Sequence, residues 1–250
     1  MKYFHAIEGI LAEIQAQESS ALETAAQACA ESIGSGRGVL MFGAGHSALP
    51  PQEAFPRIGS LVGFLQITEP VLSYNGHVTG KGGQQQMSFL EQTSGLAETI
   101  LANYRITNQD TMLIISNSGI NAVPVELCHL ANQKGLTTIG ISSRAHSSCN
   151  QPKNPLGKRL LEIADIPIDT HIPEGDALIQ LPNGENSGGG STIASMVILN
   201  GIVVRTAEIL LERNIPVTIY PSHNVSADLD DLHQKESRVF EVYKELLKKY

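Results

Sequence analysis

Across residues 3–33 the apolar side chains Phe4, Ile7, Ile10, Leu11, Ile14, Leu22, Ala25, Ala26 and Cys29 recur at helical spacing, and Gly34-Ser35-Gly36 follows them. This spacing predicts a long amphipathic helix, broken near Ser19-Ser20 and stopped at the glycines. A different pattern comes next. Short apolar runs at 38–42, 61–67, 111–115, 136–142 and 164–169 are bounded by polar or glycine-containing stretches and read as buried strands, with 216–220 as a short last one. Helical patterns occupy 50–58, 88–104, 121–134, 191–213 and 228–249 between and after them. Pro50-Pro51 suits a first helical turn, Gly135 suits a helix end, and Ser191 or Thr192 suits an N-cap. In the last helix acids come early and lysines late, as the macrodipole favours.

Strands alternating with helices imply an α/β protein built on a doubly wound parallel sheet with both faces covered. The helix at 3–33 lies outside any βαβ unit, so its apolar face is expected to pack across a subunit interface. Packing on its own sheet is the other reading. With 250 residues and no internal shift in composition, the chain reads as a single domain: an assembly helix at 1–33, then an α/β core at 34–250. Segments 74–83 and 182–190 carry turn chemistry and read as loops.

Two strands run directly into small-residue turns that open helices. The first enters Gly43-Ala44-Gly45-His46-Ser47 and the second enters Ser116-Asn117-Ser118-Gly119. Each turn gathers backbone N–H groups and hydroxyls at a helix N-terminus, which suits a phosphate or another anion. In such sheets ligands bind beyond the carboxyl ends of the strands, where both turns lie. The first turn lacks the third glycine and the acidic ribose partner of a dinucleotide site, and no Gly-Lys-Ser/Thr follows it as in a P-loop.

Charge narrows the ligand. The formal net charge is −8, and no basic stripe runs along the chain, so a nucleic-acid partner is not expected. Cys29, Cys128 and Cys149 have no C-x-x-C spacing, which argues against a disulfide framework and a thiolate metal site and fits a reducing cytoplasm. The histidines His129, His146, His171 and His233 are dispersed without H-x-x-x-H or H-E-x-x-H spacing, so no metal is expected. The N-terminus does not read as a signal peptide. The apolar stretch at 193–204 is interrupted by Ser195 and Asn200 and is short of the ~20 residues that span a bilayer, so no membrane segment is expected. Ser47 and Ser116 lack a G-x-S-x-G elbow, which argues against a hydrolase nucleophile.

Gly43-Ala44-Gly45-His46-Ser47 with Glu53 and Phe55, then Ile114-Ile115-Ser116-Asn117-Ser118-Gly119 with Asn121-Ala122-Val123-Pro124 and Glu126, then Ile139, Ile141 and Ser142-Ser143, together resemble the sugar isomerase (SIS) domain family. Gly157-Lys158-Arg159-Leu160, Gly175-Asp176-Ala177 and the stretch from Ser191-Thr192 to Leu211-Glu212-Arg213 are similar to its single-domain bacterial members. The resemblance covers nearly the whole chain and implies a Rossmann-like SIS sheet holding a sugar phosphate. Ser47, Ser116 and Ser118 match the family's phosphate-binding serines, beside Gly45 and Asn117, with Ser142 and Ser143 adding hydroxyls. It also implies a homodimer or homotetramer. Members range from aldose–ketose isomerases to non-catalytic phosphosugar sensors and oligomeric adaptors, so the fold and ligand transfer better than the reaction.

Isomerisation through an enediol needs a carboxylate or imidazole base and no cofactor. Glu53 is the first candidate, expected in the first turn of the helix after Ser47, where a dipole-favoured carboxylate is the other reading. His46 could open the ring or contact phosphate, or could simply pack in the turn. His77 lies in the loop at 74–83. His223 follows the last expected strand and so belongs at the ligand edge of the sheet. Glu126 and Glu208 fall on helices and read as structural.

Overall fold

In the computed structural model, which describes residues 1–74, 76, 81–223 and 229–250, alternate residues of the central strands face opposite layers. Val39 and Met41 pack into one apolar cluster and Leu40 and Phe42 into the other. Strands β1 (Val39–Gly43), β2 (Phe64–Gln66), β3 (Thr111–Ile115), β4 (Thr137–Ser142) and β5 (Ile166–Asp169) form one sheet in the order β2-β1-β3-β4-β5. Every pairing in it is parallel. All residues of β1 and β3 are buried, which is why their sequences are continuously apolar rather than alternating.

Helices α1 (Lys2–Gln17) and α2 (Ser19–Gly34) precede the sheet. After β1 come a single 3-10 turn (Gly45–Ala48) and α3 (Leu49–Ala54), and after β2 come α4 (Pro70–Ser73), α5 (Lys81–Glu91) and α6 (Leu96–Leu101). Helix α7 (Ala122–Gln133) joins β3 to β4, and α8 (Arg144–Ser148) and α9 (Leu160–Ile163) join β4 to β5. A hairpin of β6 (Ala177–Gln180) and β7 (Asn186–Gly189) leads into α10 (Ser191–Glu212), and α11 (Leu229–Leu247) follows.

The doubly wound parallel sheet is as expected, but several elements differ. Ala25, Ala26, Cys29 and Ala30 of α2 are fully buried in the cluster that holds Val39, Leu113, Ile198 and Ile202. The α2 part of the face expected to meet another subunit therefore covers the chain's own sheet and α10, while Phe4 on α1 is exposed. The break before α2 falls at Glu18, whose carboxylate lies 3.1 Å from His171 Nε2 and accepts from Asp169 N at 3.3 Å, tying the kink to the end of β5.

Helix α3 stops at Ala54 rather than residue 58, because Phe55 precedes Pro56 and adopts extended backbone. The helix expected at 88–104 is two, divided at Gly95 (φ 83°), whose N–H donates to Glu126 at 2.8 Å. Part of the loop expected at 182–190 is strand β7. The stretch at 216–220 makes no strand of the sheet: Ile219 forms a lone antiparallel bridge with Leu61. Helix α10 is long and apolar enough by composition to cross a bilayer, but half of its most apolar window is buried, as in a core helix.

Candidate functional site

Strands β1 and β3 are neighbours in register, Gly43 beside Ile115, so the two turns leave the same edge side by side. From β1 the chain continues to β2 on one side, while β3 lies on the other. This is the switch point of the sheet, where a crevice opens beyond the strand ends. Gly43 is required by the turn itself, since a Cβ there would sit 1.9 Å from the Ser47 carbonyl oxygen. Gly45 holds φ at 58°. Ser47 is half-buried, and among the described residues its hydroxyl has no hydrogen-bond partner.

In the second turn the Ser116 hydroxyl accepts from Gly119 N at 3.2 Å and closes the loop. Gly119 has φ 60°, and a Cβ there would meet Ser142 Oγ at 2.5 Å. Asn117 uses its backbone carbonyl to accept from Ser143 N and from Ser142 Oγ, both at 3.1 Å, while its side-chain oxygen is buried and unpartnered. Ser118 is half-buried, and its hydroxyl is unengaged among the described residues. Asn121 is the N-cap of α7 without a side-chain capping bond; it forms a parallel bridge with Lys153, Pro124 has no N–H, and Val125 N donates to Asn121 O at 3.4 Å.

Ser142 and Ser143, expected to offer hydroxyls to a ligand, are fully buried and already engaged. Ser142 bonds Asn117, and Ser143 donates to Ile172 O at 2.5 Å while accepting from His146 N at 2.9 Å as the cap of α8. They brace the second turn from behind. The N-terminus of α10 is closed to anions too, because Asp176 accepts from Gly190 N at 3.0 Å and Ser191 N at 2.8 Å. Gly190, not Ser191 or Thr192, is its N-cap residue.

Beside the first turn lies a cleft of about 140 Å³ lined by Gly45, His46, Leu49, Gln52, Ser73, Tyr74 and Gly76. It separates the elements that follow β1 from α4, which follows β2. Helix α5 crosses above: Met87 packs against Gly45, and Glu91 bonds the Asn121 side chain. Burial pushes the Glu91 carboxyl up, against the opposing pull of Asn121 and Lys153. Burial also raises Glu69, the N-cap residue of α4.

His46 is exposed and lines the cleft. Glu53 differs: it is next to last in a six-residue helix, away from the dipole-favoured first turn, and pairs with Arg57. His223 is also displaced. Residues 218–220 pair antiparallel with 60–62, ahead of the start of β2, so the chain leaves toward the amino edge. There His223 Nδ1 lies 3.0 Å from Glu236. His77 lies outside the described residues. Glu126 and Glu208 are engaged structurally, with Ser94 and Arg205 respectively. Among the described residues no group of three His, Cys, Asp or Glu side chains could hold a metal.

Gln52, Ser73, Met87 and Glu91 carry no motif and escape sequence reasoning. For α5 a signal exists in the four-residue spacing of Gly83, Met87 and Glu91, which puts one stripe over the crevice.

A parallel sheet covered by helices, with two hydroxyl-bearing turns side by side at its switch point, makes this an α/β protein of the doubly wound class. The chain belongs to the SIS domain family, whose model matches residues 2–143. It is 32% identical to a UPF0309 protein of Geobacillus kaustophilus over 246 residues, 98% of this chain and 94% of that one. It is 32% identical to a UPF0309 protein of Halalkalibacterium halodurans over 222 residues, 88% and 89% of the two chains. Among solved structures, the phosphoheptose isomerase of Neisseria gonorrhoeae superposes with a TM-score of 0.55 at 12% identity, covering 82% of this chain and 95% of that one. The phosphoheptose isomerase of Francisella tularensis gives 0.52 at 15% identity with the same coverage. These likenesses establish the fold.

Proposed function

We propose that this protein binds a sugar phosphate at the crevice between β1 and β3 and interconverts its aldose and ketose forms. The observation that carries the reading is the pair of small-residue turns that leave β1 and β3 side by side, each with a half-buried serine, Ser47 and Ser118, whose hydroxyl is unengaged among the described residues. A phosphate offers only acceptors and matches this set of donors. Gly45, Ser116 and Asn117 shape the turns that hold them. The reaction named for the structural neighbours is an analogy of fold, and the site is what argues for the ligand.

His46 is the acid–base group in this reading, since its ring borders the cleft into which the sugar extends. It moves a proton between neighbouring carbons through an enediol, and the step needs no cofactor. Incubation with hexose, hexosamine and heptose phosphates in deuterated water tests this by magnetic resonance. The expected result is deuterium at the carbon next to the carbonyl, lost in His46→Ala with binding retained. A second reading has its own support: among the described residues that line the cleft there is no carboxylate. Binding without exchange for every sugar would make the protein a phosphosugar sensor or oligomeric adaptor.

Assembly forms part of the proposal. We place a homodimer on α10 rather than on 1–33. Ile193, Val197, Val204 and Leu211 are exposed on α10, with Asn200 between them. Positions 197, 204 and 211 repeat every seven residues and 193, 200 and 207 fall four before each, the a/d pattern of a coiled-coil seam with one polar core position. A second copy laid antiparallel would match apolar to apolar and oppose the helix dipoles.

A further inference from the structure

Two polar atoms in the cleft walls have no partner. Gln52 Nε2, on α3, and Ser73 Oγ, on α4, are buried without a hydrogen bond, and both residues line the space beside His46. Ser73 is 5% exposed, and its backbone N–H is already engaged with Glu69 O at 2.7 Å, so only the hydroxyl is unsatisfied. Native proteins pair nearly all buried polar groups, and an unpaired pair in the walls of one cleft calls for a missing partner. Of the other lining residues Leu49 is apolar, Gly45 and Gly76 have no side chains, and His46 and Tyr74 carry polar groups of their own.

Size limits what can fill the space. At about 140 Å³ the cleft falls below the several hundred Å³ usual for a whole small-molecule site, so it takes one end of a ligand. The other end has its own chemistry at the two turns, where Ser47 and Ser118 supply donors for an anion. The carboxamide N–H of Gln52 requires an acceptor, and the Ser73 hydroxyl can donate or accept. A sugar hydroxyl does both and completes the two groups together.

We infer that Gln52 and Ser73 are the residues that recognise the hydroxyls of the sugar, at the opposite end of the ligand from the phosphate. The inference rests on the phosphosugar reading above and gives it a division of labour. The two turns hold the phosphate whatever the sugar, and α3 and α4 select which sugar follows. Neither residue exchanges a proton with the substrate carbons, so both act in binding and specificity rather than in chemistry.

The test compares two probes on three proteins. Inorganic phosphate and a panel of hexose, pentose and heptose phosphates are titrated calorimetrically into the wild type, Gln52→Leu and Ser73→Ala. Each variant is expected to weaken the best-bound sugar phosphate by roughly fivefold to tenfold, as loss of one hydrogen bond does. Affinity for inorganic phosphate should change by less than about twofold, a shift too small to count as a lost hydrogen bond. Equal affinities for the sugar phosphates in all three proteins would overturn the inference while leaving the phosphosugar reading intact. Parallel loss for both probes would overturn it too, because the residues would then act on the phosphate end or on the fold. If the wild type bound phosphate but preferred no sugar phosphate, both readings would fall. Circular dichroism melts identify a variant that does not fold, and the other variant then decides.

Discussion

Arg37 grips Asp110 through two parallel bonds, Nε to Oδ1 at 2.9 Å and Nη2 to Oδ2 at 2.6 Å. Tyr250 adds its hydroxyl to the same carboxylate and accepts from Gly38 N at 2.8 Å, while its ring lies under the guanidinium with 4.6 Å to the centroid. The group fastens the end of the chain to the amino edge of the sheet, just before β1 and β3. The Asp110 side chain is completely buried, so removing its partner would leave a charge without compensation.

Asp110→Ala is expected to lower the unfolding free energy by about 3 kcal/mol or more, the usual cost of breaking a buried ion pair. Urea denaturation measures it. Burial pushes the Asp110 carboxyl up, but the bonds from Arg37, Tyr250 and the Thr107 N–H outweigh that and hold it below the usual carboxylate range. Its contribution is therefore complete above the unfolded value of about 3.9 and is lost as pH falls through the lower native value. Asp110→Ala should flatten this part of the acid-denaturation profile, and an unchanged profile would refute the assignment.

Asp176 makes a second long-range closure. It caps α10 from the hairpin, with Ser191 Oγ donating to it at 2.7 Å in addition to the two backbone bonds. Asp176→Ala should cost about 1 kcal/mol, the typical loss of an N-cap, and raise amide exchange in the first turn of α10. The substitution Ser191→Ala, which removes one of three bonds, should cost less. Equal stability of Asp176→Ala and the wild type would show that the cap does not hold the helix.

The reach of the sequence can be followed residue by residue. The central strands were legible because both faces of β1 and β3 are buried and nothing polar interrupts them. Both turns were legible because Gly43 and Gly119 mark close approaches that only glycine allows and Gly45 holds a positive φ. Partners distant in the chain were not. Ser142 and Ser143 look like free hydroxyls until Asn117 and Ile172 are seen to accept from them. The position of His223 followed from a parallel last strand, and the antiparallel bridge of Ile219 reversed it. Gln52 and Ser73 were invisible because what distinguishes them is a bond they do not make.

The serines should therefore separate into two groups. Ser47→Ala and Ser118→Ala remove unengaged hydroxyls at the crevice, and each is expected to weaken inorganic phosphate by roughly tenfold, a charge-assisted bond, without changing stability. Ser142→Ala and Ser143→Ala should lower the melting temperature, with any loss of binding following from the loosened turn. Calorimetric titration beside thermal melts distinguishes the groups. A binding loss as large for Ser143→Ala as for Ser118→Ala, in a protein of wild-type stability, would contradict the division.

The seam on α10 makes the assembly proposal sharp enough to fail. Val204 lies near the middle of the helix and is exposed, so Val204→Asp in a monomer touches little and should leave stability within about 0.5 kcal/mol. In an antiparallel pair the same change sets two carboxylates near the two-fold axis in an apolar interface, where an unpaired charge is strongly unfavourable. Sedimentation should then report a dimer for the wild type and a monomer for Val204→Asp. Asn200→Leu should tighten the dimer, because the polar core position fixes register at a cost in affinity. A wild-type monomer would remove the seam from the proposal, and a dimer unaffected by Val204→Asp would move the interface elsewhere, with exposed Phe4 on α1 the next surface to test.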